Sequence, residues 1–114
     1  MREPLKDPVR LQHILDAINR VEEFIEGYTE ETLNTDVRTK HATAYNIQII
    51  GEAVYKLTNE FKQSHPETPW RLIEKMRHIL VHDYYQVNMK IMWMVITDDI
   101  PSLKADIERY LQEL

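Results

Sequence analysis

The chain has no cysteine, which excludes disulfide staples, thiolate metal sites and a cysteine nucleophile. That absence agrees with a reducing compartment. Glycine is scarce too: there are two, with five prolines mostly near expected helix boundaries, so long uninterrupted helices are the natural reading. No apolar run approaches the ~20 residues needed to span a bilayer. The N-terminal stretch MREPLKDPVR lacks the apolar core of a signal peptide. A soluble, cytoplasmic protein without membrane association is expected. Positive charge is also in short supply. A formal net charge of −5 argues against a generic nucleic-acid coat, because such proteins gain most of their affinity by neutralising phosphates. Any contact with nucleic acid must come from a local basic patch. Glycine-rich phosphate loops, dinucleotide fingerprints and serine nucleophile elbows are missing, as are internal repeats.

What is present is enough for a core. Hydrophobic residues make up 43% of 114 positions, which suits one compact domain over residues 1–114. Asp7-Pro8 reads as a cap followed by proline at the first helical position, and Leu11, Ile14, Leu15, Ile18, Val21 and Ile25 follow at helical spacing. Gly27 closes that helix. The polar stretch from Tyr28 to Thr35 predicts a short turn or a single helical turn. A second helix is expected from about Asp36 to Phe61, with Ala42, Ile47, Ile49, Ile50, Ala53, Val54, Leu57 and Phe61 spread over roughly 160°. An arc so wide implies burial against more than one neighbour. Gly51 inside that helix points to close approach of another helix.

Thr68-Pro69 repeats the cap-plus-proline start and opens a third helix, with Leu72, Ile73, Met76, Ile79 and Leu80 on its apolar face. Arg71, Glu74, Lys75, His78 and His82 fall opposite. Asn88 can cap a last helix, with Val87 and Met92 placed as a hydrophobic staple. Pro101 then demands either a kink or a junction of two helices capped by Asp98 or Asp99. Met89, Met92, Trp93 and Met94 wrap this element in apolar surface, which serves either an intramolecular core or a dimer interface.

Chemistry-bearing side chains crowd together in Met76-Arg77-His78-Ile79-Leu80-Val81-His82-Asp83-Tyr84-Tyr85, which contains the pattern Arg-x4-His-x-Tyr. On a regular helix Arg77 and His82 would lie roughly 140° apart and could not share a reacting atom. Either the helix ends near Val81, or a second chain completes the site. Metal binding finds little support: His78 and His82 have bis-histidine spacing, Asp83 is the only carboxylate near them worth testing, and no third ligand is identifiable.

This motif resembles the signature of the HepT-like branch of the HEPN superfamily. The segment Tyr45-Asn46-Ile47-Gln48-Ile49-Ile50-Gly51-Glu52-Ala53-Val54 resembles that family's second signature, and Leu11-Gln12-His13-Ile14-Leu15-Asp16-Ala17-Ile18 its first helix. Three segments in the right order cover nearly the whole chain. The resemblance implies an all-α up-and-down bundle of four to five helices, a two-fold dimer or higher oligomer whose paired motifs line one cleft, and RNA cleavage. An RNA strand carries its own nucleophile in the 2′-hydroxyl, so a minimal ribonuclease needs a base, a cation for the phosphorane and an acid for the leaving oxygen, without metal or other cofactor. Arg77 can supply the cation and His82 the base or acid.

His78 stands where the family commonly has Asn or another polar residue, leaving open whether it shares the catalytic work. Asp83 and Glu52 are possible supporting groups, as is Gln48 beside Glu52. The resemblance further implies that Tyr84 accepts AMP from a cognate minimal nucleotidyltransferase, the antitoxin of a toxin–antitoxin pair, and that the adduct silences the enzyme. Each of these residues also has a bland reading: a helix-end histidine, a surface arginine, a packed tyrosine. The rival for the whole chain is a non-catalytic helical module that binds nucleotide or docks the transferase.

Overall fold

Helix α1 (Asp7–Ile25) buries Leu11, Ile14, Ile18 and Val21 of the predicted stripe together with Ala17, while Leu15 and Ile25 pack half-buried at its edge. Just beyond it Gly27 takes a φ of 82°, the left-handed conformation that ends helices at little cost to glycine. The computed structural model describes residues 6–78 and 88–114. Asp7 departs from expectation. Instead of capping α1, which has no side-chain cap, its buried carboxylate accepts hydrogen bonds from the Thr58 backbone N–H at 3.0 Å and the Thr58 hydroxyl at 2.7 Å. Burial decides this, because a carboxylate taken out of water must find donors, and Thr58 supplies two.

The expected single turn is α2 (Glu30–Thr35), opened by a reciprocal capping arrangement of Thr29 and Thr32. Asp36 then caps α3 (Val37–Lys56) by accepting from the Thr39 N–H at 3.1 Å. A hydrogen bond from the Tyr28 hydroxyl, helped by two from Thr39, holds the Asp36 carboxyl below the usual carboxylate range. Helix α3 packs against α1, α2, the later helix α5 and the turn that follows α5, which accounts for its wide apolar arc. It is shorter than expected. Leu57 is buried but extended, and Thr58 caps a separate helix α4 (Asn59–Ser64) by accepting from the Phe61 N–H.

Helix α5 (Trp70–Glu74) starts after Pro69, whose carbonyl accepts its first hydrogen bond. The Thr68 hydroxyl does not cap it. It donates to the Asp106 carboxylate at 2.7 Å and meets the buried Tyr110 hydroxyl. The rings of Phe61, His65, Trp70 and Tyr110 cluster with centroids 4.2 to 6.0 Å apart. The Trp70 indole donates to the His65 carbonyl at 2.9 Å, and Lys62 pairs with Glu74. Together these contacts pin α4 and α5 to the last helix. On α5, Ile73 is buried while Leu72, expected on the apolar face, is half exposed, because so short a helix buries only a narrow stripe.

Asn88 caps α6 (Met89–Met94) as expected, accepting from the Ile91 N–H at 3.1 Å. The chain then passes through a π turn (Val95–Asp99) into α7 (Ile100–Glu113) without a new side-chain cap. This is the kinked-helix alternative: the widened turn accommodates Pro101, which has no N–H to give. Met89 and Met92 point inward, whereas Ile91 and Met94 stay exposed. Val87, Ile79 and Leu80 lie outside the described residues. All regular structure among the described residues is helical, and no helix there is long and apolar enough to cross a membrane. The fold is an all-α bundle.

Candidate active site

After α5 the chain tightens into a 3-10 turn (Lys75–His78), and this turn carries the motif arginine. Met76 is its buried anchor, and Arg77 beside it is half-buried. The turn sits directly on Gly51 of α3. A Cβ at residue 51 would lie 2.2 Å from the Arg77 backbone nitrogen and 2.8 Å from the Met76 carbonyl carbon. Only glycine allows two backbones to come this close, so the close approach read from the sequence has a definite partner.

With its backbone seated, Arg77 lays its guanidinium over the Tyr55 ring, 3.9 Å from the centroid. Its Nε donates to His78 Nε2 at 3.1 Å. That hydrogen bond ties the His78 ring to the guanidinium edge. Arg77 is thereby held from its flat face and from Nε. Its two terminal nitrogens, which make no hydrogen bond among the described residues, form the fork that matches phosphate oxygens. Lys75, Arg77 and His78 also close the α5 segment, where the helix dipole favours positive charge.

The structure therefore brings Arg77 and His78 together and adds Tyr55, which sequence reasoning missed. The signal was available: Tyr55 is four residues beyond Gly51, so whatever packs on the glycine also meets that ring. Glu52 is not part of this group. It is exposed and lines a groove between α3 and α1, with Arg10 and Lys56 among its neighbours. Gln48 is half-buried on α3. His82, Asp83, Tyr84 and Tyr85 lie outside the described residues. Among the described residues no three His, Asp or Glu side chains converge as a metal cage.

Fold and site thus define a small helical bundle that presents an arginine–histidine pair on a glycine-seated turn. The family model described as "Ribonuclease HepT-like" matches residues 14–110, and the chain belongs to that family. It is 39% identical over 99 residues to "Probable ribonuclease HepT" of Thermococcus cleftensis, covering 87% of this chain and 90% of that one. A candidate RNase of Caldanaerobacter subterraneus is 36% identical over 103 residues, covering 90% of this chain and 92% of its own length. A Methanocaldococcus jannaschii protein named as gamma-glutamylcyclotransferase and candidate RNase is 36% identical across the whole of this chain, which spans 50% of that longer protein. No solved structure gives a significant match.

Proposed function

We propose that this chain is a metal-independent endoribonuclease and the toxin half of a toxin–antitoxin pair. The observation that carries the reading is Arg77 in a chain of this family: its backbone seated on Gly51, its guanidinium stacked on Tyr55, and its two terminal nitrogens without a hydrogen bond among the described residues. In the proposed reaction the substrate's 2′-hydroxyl attacks the adjacent phosphorus and the 5′-oxygen leaves. His82 takes the hydroxyl proton or protonates the leaving oxygen, and Arg77 neutralises the charge that grows on the phosphoryl oxygens. Two copies of the motif across a homodimer would supply both proton-transfer partners. His78 orients Arg77 through their hydrogen bond.

The regulatory half of the proposal concerns Tyr84. A cognate nucleotidyltransferase adds AMP to its hydroxyl, and the adduct places an anionic phosphate where the substrate's phosphate belongs. The setting is cytoplasmic.

The test is cleavage of single-stranded RNA by unmodified protein in excess EDTA, with a 2′,3′-cyclic phosphate and a 5′-hydroxyl as the expected ends. Arg77→Ala and His82→Ala should each lower the rate by about 10²-fold or more with helicity unchanged. Activity that vanishes with chelator and returns with a divalent ion would end the metal-free mechanism. Protein that binds RNA without cutting it would leave only the binding-module reading. For the switch, incubation with the transferase and ATP should modify Tyr84, and Tyr84→Phe should escape silencing.

A further inference from the structure

Away from the Arg77 turn, α1 and α3 enclose a groove of about 590 Å³. Lys6, Arg10, Arg20 and Lys56 line it against only two carboxylates, Asp16 and Glu52. A chain of net charge −5 has thus gathered an excess of positive charge at one place. Asp16 accepts from Gln12 at 2.9 Å, and among the described residues none of Arg10, Arg20 and Lys56 is in an ion pair. Arg10 is the most telling of them. Its Nη1 is shielded from solvent and has no hydrogen-bond partner among the described residues. A half-buried guanidinium with an unsatisfied N–H gains from an anion placed beside it.

We infer that this groove is a phosphate-binding track for single-stranded RNA, distinct from the Arg77 turn. The inference rests on the proposal that RNA is this protein's substrate. Arg10 and Arg20 are about 15 Å apart along α1 at 1.5 Å per residue. A single strand laid along the groove presents more than one phosphate over that length. Among the described residues no Phe, Tyr or Trp lines the groove and His13 supplies its one ring, so the groove holds backbone and offers little surface for stacking bases. Binding there is salt-dependent and indifferent to sequence. On α3, Glu52 and Lys56 are each one residue, about 100°, round the helix from Gly51 and Tyr55, so the track flanks the Arg77 turn and does not overlap it.

The experiment measures binding of a fluorescent 2′-O-methyl oligoribonucleotide, which has no free 2′-hydroxyl and stays intact, by anisotropy over a range of salt. The triple variant Arg10→Gln, Arg20→Gln, Lys56→Gln is compared with Arg38→Gln, Lys90→Gln, Arg109→Gln, which changes net charge equally but lies elsewhere. The groove variant should bind at least about tenfold more weakly and lose about 2 from the log–log salt slope, at ~0.7 per single-strand phosphate contact. The control should stay within about twofold of wild type. If removing Arg10 unfolds the protein, the double variant Arg20→Gln, Lys56→Gln, confined to two exposed residues, carries the same comparison. Equal weakening in groove and control variants, or no binding by wild type, overturns the track. Cleavage of ordinary RNA is read separately. A wild type that binds through the groove yet cuts nothing upholds the track and ends the ribonuclease reading. One that cuts while groove neutralisation changes nothing does the reverse.

Discussion

Helix α3 has two working faces, and they are built on opposite principles. Into the core it buries Ile47, Ile50 and Val54, full-sized side chains whose removal from water holds the bundle together. Toward the Arg77 turn it offers Gly51, where the absence of a side chain lets another backbone settle. The first face can repack if volume is kept. The second cannot, because what would meet an added atom is backbone. Core packing and the seat of the site are therefore separate faces of one helix, set by adjacent residues.

The sharpest way to break that separation is to change neighbouring residues. Ile50→Ala opens a cavity at a fully buried position and should cost about 2–5 kcal/mol in chemical denaturation, with the specific activity of the folded fraction retained. Gly51→Ala reaches the site as well. It gains about 1 kcal/mol of helix propensity, but its Cβ would stand 2.2 Å from the Arg77 backbone nitrogen, so the Met76–Arg77 turn must give way and the protein is destabilised. Per folded molecule the cleavage rate should fall by roughly 10²-fold, the cost of displacing Arg77 by about 1 Å. If the folded fraction of Gly51→Ala cleaves at the wild-type rate, the division of labour is wrong.

Smaller in effect is Asp7→Ala, which acts on the fold alone. It leaves the Thr58 N–H and hydroxyl without their acceptor and should cost about 1–3 kcal/mol, read as a lower denaturation midpoint. The rate per folded molecule should not move. A drop in activity out of proportion to stability would mean that the start of α4 is coupled to the Arg77 turn.

These residues also mark what the sequence could and could not disclose. Leu11 through Val21, Gly27, Gly51 and Asn88 were legible because helix period, left-handed closure, close approach and capping are local rules. Asp7 and Thr68 were misread as caps because their true partners, Thr58 and the Asp106–Tyr110 pair, are far along the chain. The end of α3 was hidden for a different reason. Leu57 and Phe61 continue the apolar spacing although the backbone between them has left the helix. Of the candidate site, the motif pointed to Arg77 and His78, while His82, Asp83 and Tyr84 lie outside the described residues. Tyr55 required knowing what rests on Gly51, and the Arg10 groove required knowing which face of α1 meets α3.

Tyr55 offers a subtler probe of the site face. A guanidinium over an exposed aromatic ring is worth about 0.5–1 kcal/mol, so Tyr55→Leu should slow cleavage roughly two- to fivefold with little change in stability. Tyr55→Phe keeps the ring and should restore most of the rate. Equal losses in both variants would assign the effect to the hydroxyl and remove the stacking argument.

The smallest effect expected lies away from the site, at the π turn. Burial, reinforced by the neighbouring charge of Asp98, raises the Asp99 carboxyl above its ordinary value. A raised carboxyl binds its proton more tightly in the folded state than in the unfolded one. The penalty on the ionised group is therefore complete above the folded pKa and is relieved as pH falls through that value toward the ordinary 3.8. Asp99→Asn should give a slightly higher melting temperature at neutral pH, an advantage that shrinks in acid. Asp36 should behave with the opposite sign. Its lowered carboxyl contributes stability above 3.8 that is lost as pH falls through the lower folded value, so Asp36→Asn should melt earlier at neutral pH and converge on wild type in acid. Thermal melts of both variants at neutral and acidic pH decide the matter, and two shifts of the same sign would show that charge state at these caps and turns is not what sets them apart.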